Sequence, residues 1–175
     1  GIHLVRNEDM KDFWFIDGPD RKIYDDGLNR FFNGDIRHAV STYWKQMREM
    51  ITGEKPDIIA HLDKIKMHNQ NRYFVETESW YEDELDKTLE LIAREGCIVE
   101  VNTRGIYKGR SEELFPGAFA LQKIRQLEIP ITLCSDAHKP GELSGHFEET
   151  KAILRRTGFN SLMVLKEDGW KPTAL

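Results

Sequence analysis

The run Ile129-Pro130-Ile131-Thr132-Leu133-Cys134-Ser135-Asp136-Ala137-His138 decides how this chain is read. Its first six residues are mostly apolar and partly β-branched, as in a short buried strand, and the polar residues begin where that strand ends. Asp136 and His138 lie two positions apart, so at a strand tip both side chains point the same way. Such C-terminal tips are where open α/β sheets and β/α barrels keep their chemistry. A carboxylate oxygen and an imidazole nitrogen together make a hard-to-borderline metal site. The competing reading is structural: Asp136 caps the helix that follows, and His138 is merely solvated.

Outward from this run, three more apolar stretches have the same character. They are Ile2-His3-Leu4-Val5, Asp57-Ile58-Ile59-Ala60-His61-Leu62 (entered through Pro56) and Cys97-Ile98-Val99-Glu100-Val101-Asn102. Ser161-Leu162-Met163-Val164-Leu165 is a candidate fifth. Between them, apolar residues at helical spacing predict helices over 36–51, 82–95, 116–127 and 147–156. Gly96 and Gly158 follow two of these as C-terminal stops, and Pro116 stands at a helix start. Strands alternating with helices of this length predict an α/β fold: a parallel sheet with crossover helices, open or closed into a barrel. Four or five strands cannot close a β/α barrel, and the chain opens directly inside a strand. The expectation is therefore a single incomplete domain over residues 1–175.

Composition narrows the function classes. The 175 residues are enough for one core, and 39% hydrophobic with 31% charged residues is ordinary for a soluble globular chain. A net charge of −5 leaves no basic footprint, so nucleic acid is not an expected partner. No stretch approaches the ~18 apolar residues of a membrane span, and the first residues lack a signal-peptide layout. Cys97 and Cys134 both sit in apolar runs, which favours buried free thiols in a reducing cytosol over a disulfide. The expected location is the cytoplasm.

The polar residues near the strand ends carry the chemistry. The first strand gives His3, the second His61 and Asp63, the third Glu100, Asn102 and Arg104, and the fourth Asp136 and His138. In a parallel sheet these ends converge on one face. A lone strand histidine is usually a hydrogen-bonded core or loop residue, but three at equivalent places on separate strands argue for ligation. Converging His and Asp side chains are what a mono- or multinuclear metal hydrolase needs. His38, His68 and His146 are read as solvated or loop residues, and Asp25 and Asp26 as a turn and helix start. Arg104 is the candidate anion grip, because a guanidinium fork matches phosphate oxygens; its alternative is a surface loop charge. Trp14 and Phe15 would wall the organic part of a substrate, or else simply pack.

These residues resemble a known family. Ile2-His3-Leu4 is similar to the "G-S-[VI]-H" strand of PHP-domain phosphoesterases. Asp57 through Lys66, with Asn69 and Asn71-Arg72-Tyr73-Phe74, resembles the "D-I-I-[AG]-H-L-D-x-I-K…R-Y-F" stretch of the histidinol-phosphatase branch. Glu100-Val101-Asn102-Thr103 resembles its "E-[VI]-N-T", Glu113-Leu114-Phe115-Pro116 its "E-x-[YF]-P", and Ser135-Asp136-Ala137-His138 its closing "S-D-A-H". The order and spacing agree across nearly the whole chain.

The resemblance implies the C-terminal part of a distorted seven-stranded β/α barrel with a site for up to three divalent ions (Zn, Mn or Fe). It implies hydrolysis of a small phosphate monoester, L-histidinol phosphate in this branch, in histidine biosynthesis. His3, His61, Asp136 and His138 become metal ligands, Asp136 and His138 also catalytic, and Arg104 and Asn102 substrate-binding. The family's opening H-x-H, a further histidine and a bridging Glu belong before His3, where this sequence has only Gly1 and Ile2. Three alternatives stay open: another phosphate ester (a nucleotide or phosphotyrosine), a non-catalytic fragment acting in assembly, or an amidohydrolase. The expected partners are a small phosphorylated substrate and, for assembly, further copies of the chain, with no membrane.

Overall fold

Aromatic and β-branched runs set the strands of the computed structural model, which describes every residue except Asp9. In chain order the elements are β1 (Leu4–Arg6), β2 (Phe13–Phe15), α1 (Arg21–Phe32), α2 (Ile36–Glu54), β3 (Ile58–Ile59), α3 (Ser79–Glu95) and β4 (Ile98–Asn102). They continue with α4 (Arg104–Tyr107), α5 (Ala118–Gln126), β5 (Ile131–Cys134), α6 (Phe147–Thr157), β6 (Ser161–Lys166) and β7 (Gly169–Ala174).

Three of the expected runs form one parallel sheet in the order β3-β4-β5. β4 is central and buried along its whole length, with Val99 opposite Ile131 and Asn102 opposite Cys134. A strand covered on both faces has no polar side to show, which is why it reads as a nearly continuous apolar run. Glu100 and Asn102 are its two polar exceptions.

The first run does not join this sheet. β1 pairs antiparallel with β2, Val5 facing Trp14, because Phe13-Trp14-Phe15 is itself a strand. Val5 and Trp14 are fully buried, while Leu4, Phe13 and Phe15 stay exposed on the outer face. The outer edge of β1 is closed by a side chain from α2. Gln46 accepts a hydrogen bond from the Arg6 amide at 3.1 Å and donates one to the Leu4 carbonyl at 2.8 Å. The last apolar run likewise forms an antiparallel hairpin, β6 with β7, in place of a fifth parallel strand. Parallel pairing thus covers three strands, and both flanking pairs are hairpins.

The helices follow the expected periodicity and stops: Gly96 and Gly158 end α3 and α6 in the left-handed conformation. α1 is an additional helix. Tyr24, Leu28, Phe31 and Phe32 give it a buried stripe, and Asp20 caps it by accepting from the Lys22 amide at 2.8 Å. Asp25 and Asp26 therefore lie inside a helix and not at its start. α2 packs against α3, β1 and α1, around rings that include Trp44, Tyr81 and Phe74, the last two stacked at 5.0 Å. Both cysteines are free thiols, Cys97 buried and Cys134 half-buried. No helix among the described residues is long and apolar enough to cross a membrane.

Candidate functional site

The ends of β3 and β5, the residue preceding β1 and the turn into α4 meet at one cleft of about 320 Å³. His3, His61, Asp136 and His138 all line it, together with Arg104. His3 sits before β1 and not at a strand's far end, so it arrives from a hairpin; the rings of His3 and His61 stand edge to face at 5.1 Å. His61 and Asp136 both adopt positive φ, 52° and 49°, in the left-handed region that non-glycine residues seldom occupy. That turn at each strand end aims the side chain off the sheet and into the cleft.

His61 is oriented from behind by the two polar residues of β4. Its Nδ1 lies 2.9 Å from Glu100 Oε2 and 3.1 Å from Asn102 Nδ2, and its backbone amide donates to the same Glu100 oxygen at 3.0 Å. Burial pushes the Glu100 carboxyl up, but the His61 ring, the Cys134 thiol and the His61 amide together outweigh that and hold it below its ordinary range. An ionised Glu100 calls for hydrogen on Nδ1, which leaves the Nε2 lone pair of His61 free to act as acceptor or ligand. Asn102 does not line the cleft. Its side-chain oxygen accepts from the Arg104 amide at 2.9 Å, so it positions both His61 and Arg104.

Asp136 caps no helix. The next helical turn, Pro140–Glu142, has Lys139 at its cap position without a side-chain cap bond. Instead Arg104 reaches across to this segment. Its Nη1 donates to the Asp136 carbonyl and to His138 Nδ1, the latter at 2.6 Å, and its Nε is 3.8 Å from Asp136 Oδ2. The Arg104 side chain is well enclosed, so the surface-charge alternative does not describe it.

Three residues that the sequence reading passed over share the cleft: Asp17, Lys64 and Arg110. Asp17 bridges His3 Nδ1 and Lys64 Nζ, each at 2.6 Å. Burial raises its carboxyl, yet those two bonds win and hold it at about 2. Asp17 carries the same signal as Asp136, an Asp just past an apolar run, here Phe13-Trp14-Phe15-Ile16, which is not among the expected strands. Asp63 points elsewhere, fully buried and accepting from the Gly117 amide at 2.9 Å. Trp14 is core, donating to the Tyr24 carbonyl at 3.0 Å, and Phe15 lies on the outer hairpin face, so neither walls the cleft. Of the remaining histidines, His38 is exposed, His146 stands at the start of α6, and His68 is buried with Nε2 2.6 Å from the Gly18 carbonyl.

The converging donors do not close into a metal-binding set. Among the described residues no group of three or more His, Cys, Asp or Glu side chains is arranged to hold an ion. The Arg104 guanidinium and the Lys64 ammonium stand among the donors where a cation would. As they stand, these residues do not fit a metal centre.

Comparison with known proteins points one way. No protein-family model matches the chain. It is 23% identical over 145 residues to a histidinol-phosphatase of Saccharomyces cerevisiae, a match covering 70% of this chain and 43% of the yeast protein. Its fold resembles a solved structure from Listeria monocytogenes that bears the provisional name histidinol phosphatase hisK. That match has a TM-score of 0.72 and 19% identity, over 85% of this chain and 55% of the other. The chain thus spans about half the length of the proteins it matches.

Proposed function

We propose that this chain contributes the C-terminal strands of a distorted β/α barrel of the PHP type, acting in hydrolysis of a small phosphate monoester. The substrate we favour is L-histidinol phosphate. The observation that carries the reading is the arrival of His3, His61 and the Asp136–His138 pair from three separate segments at one cleft, beside an enclosed arginine. The likeness to the yeast histidinol-phosphatase supports the choice of ester.

Within this reading each residue has a task. Arg104 grips the phosphoryl oxygens through its planar fork. Glu100 holds His61 in one tautomer, and Asn102 packs against the same ring edge. Asp136 and His138 add a carboxylate and an imidazole to the lining that His3 shares. Divalent ions (Zn, Mn or Fe) enter the proposal only with further donors from outside residues 1–175. A second reading is favoured by the lack of a three-donor group among the described residues: a fragment that binds phosphate but does not turn it over.

Elemental analysis of the purified, folded protein, paired with assay of phosphate release from L-histidinol phosphate, separates the two. At least one transition metal per chain with chelator-sensitive release supports the hydrolase. Less than one metal per chain and no release removes it for this polypeptide.

A further inference from the structure

Positive charge is what the cleft offers in place of a closed donor set. Lys64 and Arg104 are enclosed there, their side chains 10% and 16% exposed. Arg110 lines the same cleft and forms no ion pair with any described residue. Against these three cations stand two lining carboxylates. Asp17 is engaged by His3 and Lys64, and Asp136 is near Arg104 Nε. The nearby Glu142 is held chiefly by Lys108, with Arg104 Nη1 at 3.7 Å, and Glu100 is held by His61. Of the three cleft histidines, His138 accepts from Arg104 at Nδ1, so its Nε2 carries the ring hydrogen and can donate.

We propose that this cleft binds a phosphate dianion without a metal ion, with Lys64, Arg104 and Arg110 as its cationic walls. The inference rests on the phosphoester reading of the site, and it adds two residues and a metal-free state to that reading. Arg104 is pre-set for the task. Nη1 is pinned by the Asp136 carbonyl and His138, while Nη2 makes no hydrogen bond to any described residue. A guanidinium held this way loses little freedom on binding a tetrahedral anion. Enclosure strengthens the attraction, because charges withdrawn from bulk water are screened less. A cleft of about 320 Å³ holds a phosphoryl group with space for a small organic substituent.

Titration calorimetry with inorganic phosphate, on chelator-treated protein at neutral pH, tests this. The expected result is one phosphate per chain, with an affinity unchanged by chelator. It should weaken ~10-fold or more in Arg104→Met and in Arg110→Met, since a charge-assisted hydrogen bond is worth that factor. Arg110 is exposed, so its variant should fold even if replacing Arg104 disturbs the turn into α4. Lys151→Met, on α6 away from the cleft, should bind as the wild type does. Binding that appears only when a divalent metal is added would overturn the inference while leaving the metal-dependent hydrolase intact. Unchanged affinity in both arginine variants would overturn it as well. Failure to hydrolyse histidinol phosphate, with phosphate still bound, counts against the hydrolase alone.

Discussion

At the scale of single residues, Lys66 is the side chain on which most charge depends. Its ammonium lies 3.1 Å from Asp63, 3.1 Å from Glu76 and 2.8 Å from Glu113, with the side chain 8% exposed. Burial alone would lower its pKa, but the three carboxylates prevail and raise it. Lys66→Met leaves fully buried Asp63 facing two other carboxylates with no counter-charge. A loss of ~3–5 kcal/mol is expected, read as a lower urea midpoint at neutral pH. A raised lysine pKa means its contribution is complete below the unfolded value of about 10.4 and is lost as pH rises through the higher folded value. Wild-type stability should therefore fall on the alkaline side, and Lys66→Met should flatten that limb in urea titrations run across pH. The same neighbourhood shows what the sequence could and could not tell. The rule that residues two apart point alike holds only in extended backbone. β3 ends at Ile59, and the left-handed turn at His61 sends His61 to the cleft and Asp63 into the interior. Identity and approximate place were legible; direction was set by one φ angle.

At the scale of elements, the helices were easier to read than the strand pairings. A helix writes its buried stripe into its own sequence, whereas a strand's partner is distant in the chain and leaves no local mark. Hence 36–51 emerged as α2 with little change, but β1 and β6 were expected in the parallel sheet and form hairpins. α1 was expected only as a helix start at Asp25 and Asp26, and its packing makes a sharp prediction. A Cβ at Gly27 would lie 2.1 Å from Cδ1 of the buried Trp14 ring. Alanine there gains about 1 kcal/mol of helix propensity, but the overlap with a fully buried indole costs more, ~1–3 kcal/mol. Gly27→Ala should lower the melting temperature where an exposed Gly→Ala in a helix, such as Gly53→Ala in α2, raises it. Gln46→Ala should free the outer edge of β1. Faster amide exchange is expected at Arg6 and not at Val5, measured by hydrogen exchange with residue resolution.

At the scale of the whole molecule, separate elements bring their polar residues to one place although not all of them belong to the parallel sheet. His61 follows β3 and Asp136 follows β5, while His3 reaches the same cleft from the antiparallel pair. Arg104 then ties the β4 end to the β5 end through Asp136 and His138. Under the proposed function these residues work together on one phosphoryl group. The rate of phosphate release from L-histidinol phosphate, compared between the wild-type protein and Asp136→Asn, tests it most directly. Release by the wild type is expected, with a loss of ~10-fold or more in the variant and both proteins equally folded by circular dichroism. Equal rates in the two, or no release from folded wild-type protein, would contradict it.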